Sequence, residues 1–136
     1  MAKVLLIVED DPLMSRLYHK AFSFQGYQVE LSYDGEEGLR KLNETKPDLI
    51  LLDIMMPKMN GLEMLEAIKA NPATKSTPVV VLTNLAGQQE AKEAIEKGAV
   101  KYVVKSEHDP KEVVDMVKQI LTSTTTSVVP QNPSSQ

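Results

Sequence analysis

Pro47-Asp-Leu-Ile-Leu-Leu-Asp-Ile-Met-Met-Pro-Lys-Met-Asn-Gly61 decides how this chain is read. Four apolar residues, Leu49 to Leu52, run straight into Asp53 and then into a Met-rich loop closing on Asn60-Gly61. A Leu/Ile run this short, bounded by Pro47 and Pro57, predicts a strand buried on both faces. Asp53 stands where that strand ends. A buried, unpaired carboxylate is strongly unfavourable, so Asp53 needs partners or a use.

Working outward, the same grammar repeats. Val4-Leu-Leu-Ile-Val8 predicts a buried strand closed by Glu9-Asp10-Asp11. Asp11-Pro12 then supplies an N-cap and a proline at the first helical position. Leu13, Met14, Leu17, Tyr18, Ala21 and Phe22 recur at helical spacing, and Gly26 suits the stop. Tyr27, Val29 and Leu31 alternate as a half-covered strand does. Asp34 to Glu37 carries a capping-box pair, and Lys46-Pro47 ends the helix that follows.

Beyond the central stretch, Asn60 with Glu63 caps a helix whose inner stripe is Leu62, Leu65 and Ile68. Val79 to Leu82 predicts the fourth buried strand, ending at Thr83. Residues 87–97 predict a thin helix, anchored mainly by Ala91, Ala94 and Ile95. Few apolar anchors imply low local stability, so this helix is a candidate for movement. Val100 to Val104 predicts the fifth strand, ending at Lys105, and Asp109-Pro110 with Glu112 starts the last helix. From Thr122 the chain turns to Thr, Ser and Pro without periodicity. The expectation is one domain over 1–121 and a disordered tail or linker over 122–136.

Strand and helix thus alternate five times. Such alternation predicts a doubly wound parallel sheet with helices on both faces and a site at the carboxyl ends of the strands. Length and composition agree: 136 residues suit one domain, with 42% hydrophobic and 25% charged residues. The net charge of −4 argues against nucleic acid or an anionic membrane as partner. The absence of cysteine excludes disulfides, thiolate metal sites and Cys nucleophiles. No apolar run approaches the ~18 residues of a membrane span, and a cytoplasmic protein is expected.

The expected strand ends bring Glu9, Asp10, Asp53, Thr83 and Lys105 to one rim. Three carboxylates at close range repel by ~1–4 kcal/mol per pair at surface-like dielectric. Lys105 offsets one charge, and a hard divalent cation suits the rest, with Mg²⁺ the usual choice where phosphate oxygens complete the shell. Asp10 and Asp53 are the side-chain ligands expected, with the backbone carbonyl of Met55. This set fits phosphoryl transfer to a carboxylate. Asp53 is the expected nucleophile, and Thr83 and Lys105 bind the new phosphoryl oxygens, so that Thr83 and its helix can be drawn into a second arrangement.

Over roughly residues 3–121 the chain resembles the receiver domain of two-component response regulators, of the chemotaxis-regulator kind. The matching residues are Glu9-Asp10, Asp53 in its Leu-Leu-Asp-Ile-Met-Met-Pro frame, Thr83 after Val-Val-Val-Leu, and Lys105 after Tyr-Val-Val. The resemblance implies a flavodoxin-like (βα)5 sheet of order 2-1-3-4-5. It implies Mg²⁺-dependent transfer from a histidine kinase or histidine phosphotransfer protein to Asp53, followed by hydrolysis. Glu9 would contact the metal through water. Tyr102 would be an aromatic switch coupled to Thr83, and the face of the fourth helix, fifth strand and fifth helix would meet an output protein, the chain being a monomer or a phosphorylation-dependent dimer. Asn84, Met55 and Leu85 are candidate modulators of phosphate lifetime. Such a chain is a phosphoacceptor that assists its own phosphorylation and dephosphorylation, not a turnover enzyme.

Two departures from that pattern stand out. Ser106 follows Lys105 where receivers commonly carry a cis-bonded proline, and Asn84 follows Thr83 where a small residue is frequent. Three other readings compete. A Mg²⁺-dependent phosphatase with an aspartyl-phosphate intermediate needs a second carboxylate two residues after the nucleophile, and Met55 occupies that position. A phosphorylation-independent binding module predicts no response to Mg²⁺ or beryllofluoride. An excised receiver of a larger regulator would make the Thr/Ser/Pro tail the start of a linker.

Overall fold

The uninterrupted apolar runs form the middle of the sheet. In the computed structural model, which describes residues 2–56, 59–84 and 88–126, five parallel strands stand in the order β2-β1-β3-β4-β5. Those strands are β1 (Val4–Val8), β2 (Gln28–Ser32), β3 (Leu49–Asp53), β4 (Val79–Thr83) and β5 (Lys101–Val104). The helices between and after them are α1 (Pro12–Phe24), α2 (Gly35–Thr45), α3 (Gly61–Ala70), α4 (Gln88–Glu96) and α5 (Pro110–Thr126). Every residue of β3 and β4 is buried, as strands covered on both faces must be. Edge strand β2 keeps only Ser32 fully buried.

Side-chain alternation sorts each strand between two apolar layers. Leu6, Val8, Ile50, Leu52, Val79 and Val81 face one layer, with Leu42 of α2, Met64, Leu65 and Ile68 of α3, and Ala91 and Ala94 of α4. Leu5, Ile7, Leu49, Leu51, Val80, Leu82 and Val103 face the other, with Tyr18 and Phe22 of α1 and Val113, Val117 and Leu121 of α5.

Local capping explains where the helices begin. Asp11 Oδ1 accepts from the Leu13 amide at 3.0 Å, just ahead of Pro12. Asn60 and Glu63 form a reciprocal capping box at 3.0 and 3.1 Å, and Asp109 and Glu112 form another at 2.9 Å each way. At α2 the pair is offset by one residue: Asp34 caps the Glu37 amide, but Glu37 accepts from Tyr33. Each cap satisfies a donor that the first helical turn leaves open.

The inward stripe of α1 runs through Ser15, Tyr18 and Phe22 at i, i+3, i+7, which leaves Leu13 and Leu17 solvent-exposed. Two expectations change. Ile95 is 40% exposed, which leaves α4 seated on Ala91 and Ala94 alone among the three expected anchors. Finally, α5 continues through Thr122 to Thr126, past the expected start of the tail, and residues 127–136 lie outside the described residues.

Candidate functional site

The sheet order makes the site. The chain leaves β1 toward β2 on one side and leaves β3 toward β4 on the other, so the loops after β1 and β3 part and open a crevice between them. Asp10 follows β1 and Asp53 closes β3 at that crevice. Register brings the rest: Asp53 lies beside Leu82, and Thr83 beside Val104, one residue before Lys105.

Alternation decides which way each group points. Glu9 continues the parity of Leu5 and Ile7, Asp53 that of Leu49 and Leu51, and Lys105 that of Val103. All three project toward the α1/α5 side of the sheet. There Lys105 Nζ donates to Glu9 Oε1 at 3.1 Å and to Asp53 Oδ2 at 3.3 Å. Asp53 Oδ1 accepts the Met55 amide at 2.9 Å, and Glu9 Oε2 accepts the Asp11 amide at 3.1 Å. One ammonium thus bridges two buried carboxylates, and backbone amides hold their other oxygens.

Charge remains in excess. Carboxylate oxygens of Glu9, Asp10 and Asp53 all lie within 4.8 Å of one another. Burial, then hydrogen bonding and repulsion from Glu9, push the Asp53 carboxyl up to about 6, against the pull of the Met55 amide and Lys105. Asp10 is likewise raised, by burial first and by Asp53 second. Burial would lower the Lys105 ammonium, but Asp53 and Glu9 outweigh it and raise it. Three hard oxygen donors with too little positive charge between them fit a divalent cation such as Mg²⁺.

Thr83 sits on the opposite parity, in line with Val79 and Val81, and so faces the α4 side. Its hydroxyl donates to the Asn84 carbonyl at 2.9 Å, leaving the acidic rim without that donor. Tyr102 pairs in register with Val81, two residues below Thr83 on the neighbouring strand, and packs half-buried against the same layer. Asn84 is exposed, and Met55 is 46% exposed beside Asp53. Leu85 lies outside the described residues. Lys105 opens a 3-10 turn over Lys105–Glu107, and no cis peptide occurs among the described residues, so Lys105–Ser106 is trans.

One shaping residue carried no periodic signal. A Cβ on Gly61 would meet the Ile54 Cα and stand 2.6 Å from the Asp53 carbonyl. The start of α3 therefore presses against the backbone that carries Asp53. A glycine at the first helical position straight after an Asn cap was the only sequence trace of this contact.

The sequence profile of the response regulator receiver domain matches residues 5–118. The response regulator ArlR of Staphylococcus saprophyticus is 33% identical over 117 residues, covering 86% of this chain and 51% of that protein. The chain spans about half the length of the curated ArlR relatives it matches. Among solved structures, a CheY-like receiver domain protein from Methanospirillum hungatei superposes with a TM-score of 0.84 at 28% identity, covering 93% of this chain and 99% of that one. The chemotaxis protein CheY4 of Vibrio cholerae superposes with a TM-score of 0.81 at 27% identity, covering 88% and 99%.

Proposed function

Because this chain belongs to the response regulator receiver domain family, the phosphoryl-accepting signalling switches of two-component systems, we propose that Asp53 is its phosphoacceptor. The single observation that carries this assignment is Lys105 bridging Glu9 and Asp53 in the crevice between β1 and β3. Asp53 is held at the end of a fully buried strand, with Met55 and Lys105 fixing its two oxygens. Such fixing limits rotation and lets one oxygen approach a phosphorus in line.

Asp10 and Asp53 would hold Mg²⁺ directly, Glu9 through water, and the Met55 backbone through its carbonyl. When bound, the ion neutralises phosphoryl oxygens and raises the electrophilicity of phosphorus. Lys105 would contribute the fixed positive charge on a phosphoryl oxygen. Thr83 would turn its hydroxyl from the Asn84 carbonyl toward the phosphoryl group, with Tyr102 following on the same sheet face. The surface of α4, β5 and α5, on which Ile95 of α4 stands exposed, would change shape and meet an output protein.

A histidine kinase or histidine phosphotransfer protein would be the phosphoryl source. In this role the chain assists its own phosphorylation and hydrolysis without turning over an outside substrate, and Asn84, Met55 and Leu85 would set the lifetime. No helix among the described residues is long and apolar enough to cross a membrane; a cytoplasmic location is part of this reading. The test is acetyl phosphate with Mg²⁺, read by intact mass on the native chain and on Asp53→Asn. One added phosphoryl group on the native chain and none on Asp53→Asn is expected. A phosphoryl group retained in Asp53→Asn refutes the assignment.

A further inference from the structure

Two hydroxyls of α1 lie fully buried and have no hydrogen-bond partner among the described residues: Ser15 Oγ and Tyr18 Oη. Both belong to α1, three residues apart, on its inward stripe. A buried hydroxyl without a partner is costly, and two on one helix face call for a shared ligand.

Their position names it. Tyr18 belongs to the buried layer that holds Ile7 and Leu51 on the α1/α5 side of the sheet. Glu9 and Asp53 are the next residues of the same parity, one pleat repeat higher, or roughly 7 Å along each strand. A helical side chain leans toward the helix N-terminus, over the preceding turn. The Tyr18 hydroxyl is therefore carried past Ser15 toward the rim, where α1 begins. After burial, the charges that raise the Tyr18 phenol are those of Glu9 and Asp53.

Glu9 can accept more than it does. It is itself fully buried, and its two oxygens receive one donor each from Asp11 and Lys105, whereas a carboxylate offers about four acceptor sites. A buried water typically takes about three hydrogen bonds from otherwise unsatisfied groups. Two hydroxyls and one carboxylate make up that number.

We propose that Tyr18 is a positioning residue of the acidic site: its hydroxyl and that of Ser15 hold one buried water against the Glu9 carboxylate from the core side, fixing the face that Glu9 presents to Asp10 and Asp53. The effect on the metal rests on the reading of Glu9, Asp10 and Asp53 as the Mg²⁺ site. The water itself does not depend on that reading. Tyr18 thereby couples α1 packing to the orientation of a metal-facing carboxylate.

A crystal structure resolving ordered solvent tests the first half. Water bonded to Tyr18 Oη, Ser15 Oγ and a Glu9 oxygen is expected. A dry void, or a Tyr18 hydroxyl bonded only to backbone, overturns the proposal. Tyr18→Phe tests the second half by keeping the ring and removing the hydroxyl, with Ser15→Ala as an independent variant. In metal-free protein the carboxyl carbon resonance of Glu9 is expected to move in both variants. Mg²⁺ affinity, measured by titration calorimetry, is expected to fall about 10-fold, as loss of an outer-shell partner does. An unmoved resonance with native affinity in both variants overturns the role of Tyr18. Asp10→Asn separates the two claims: if it binds Mg²⁺ like the native chain, the metal site is misassigned, whereas lost binding there with native affinity in Tyr18→Phe rejects Tyr18 alone.

Discussion

Lys105 Nζ lies 3.3 Å from Oδ2 of Asp53 across 52 residues of sequence. The same ammonium lies 3.1 Å from Glu9, so its removal leaves two buried carboxylates without a fixed cation. Lys105→Ala is expected to slow phosphoryl transfer from acetyl phosphate about 10²-fold, the usual scale for losing one preorganised electrostatic partner. The single-turnover rate of mass increase at saturating Mg²⁺ checks this, and a native rate would remove Lys105 from the site.

Ionised Asp53 should oppose folding at neutral pH. Its carboxyl titrates at about 6 in the folded protein against 3.8 as the ordinary value. The folded state therefore binds the proton more tightly than the unfolded chain does. The resulting contribution is fully present below about pH 4 and is lost as pH rises through about 6, amounting to on the order of 2–3 kcal/mol at most. In chelator, Asp53→Asn is expected to be more stable than the native chain at pH 7.5, with the gap closing toward pH 4.5. Urea midpoints at the two pH values decide it, and a gap independent of pH contradicts the burial of this charge.

Gly61 should tolerate no side chain. A Cβ there stands 2.6 Å from the Asp53 carbonyl and against the Ile54 backbone, and neither backbone group can swing aside as a flexible side-chain end would. Gly61→Ala is expected to destabilise the protein by about 1–3 kcal/mol, the range for overpacking, and to slow phosphorylation of Asp53 by displacing the strand end. Thermal melts with the acetyl phosphate assay measure both. A stable variant with reduced phosphorylation would still support the contact, and a native one would not.

Thr83 should separate phosphorylation from response. Its hydroxyl is bonded to the Asn84 carbonyl, away from the carboxylates, and α4 beyond it is seated on Ala91 and Ala94. Thr83→Ala is expected to accept phosphate on Asp53 while losing the beryllofluoride-induced shifts of α4 and β5 amides in NMR spectra. Native α4 amides are also expected to exchange faster with solvent than those of β3, whose every residue is buried. Full induced shifts in Thr83→Ala would exclude the hydroxyl as the coupling group.

Most of the fold was legible because its signals are local. Asp11-Pro12, Asn60 with Glu63, and Asp109 with Glu112 mark helix starts through contacts spanning three residues or fewer, and all three caps form. The apolar runs ending at Val8, Asp53 and Thr83 mark strands buried on two faces, and all three lie inside the sheet. Ile95 was misread for the complementary reason. Helical spacing marks a stripe about one face wide, and only the angle at which a helix meets the sheet selects which edge of that stripe is covered.

Sequence alone determined the inventory: which residues close each strand, and that Glu9, Asp10, Asp53, Thr83 and Lys105 must share a rim if the strands run parallel. Tertiary structure decided what they do to one another. Only the order β2-β1-β3-β4-β5 opens the crevice between Asp10 and Asp53. Only the pleat, read through the two packed layers, sends Glu9, Asp53 and Lys105 toward α1 and α5 and Thr83 and Tyr102 toward α4. Burial of Asp53 and its rise to about 6 both follow from residues far apart in the chain. Desolvation and charge repulsion depend on distance in space, and that distance exists only once the strands have paired.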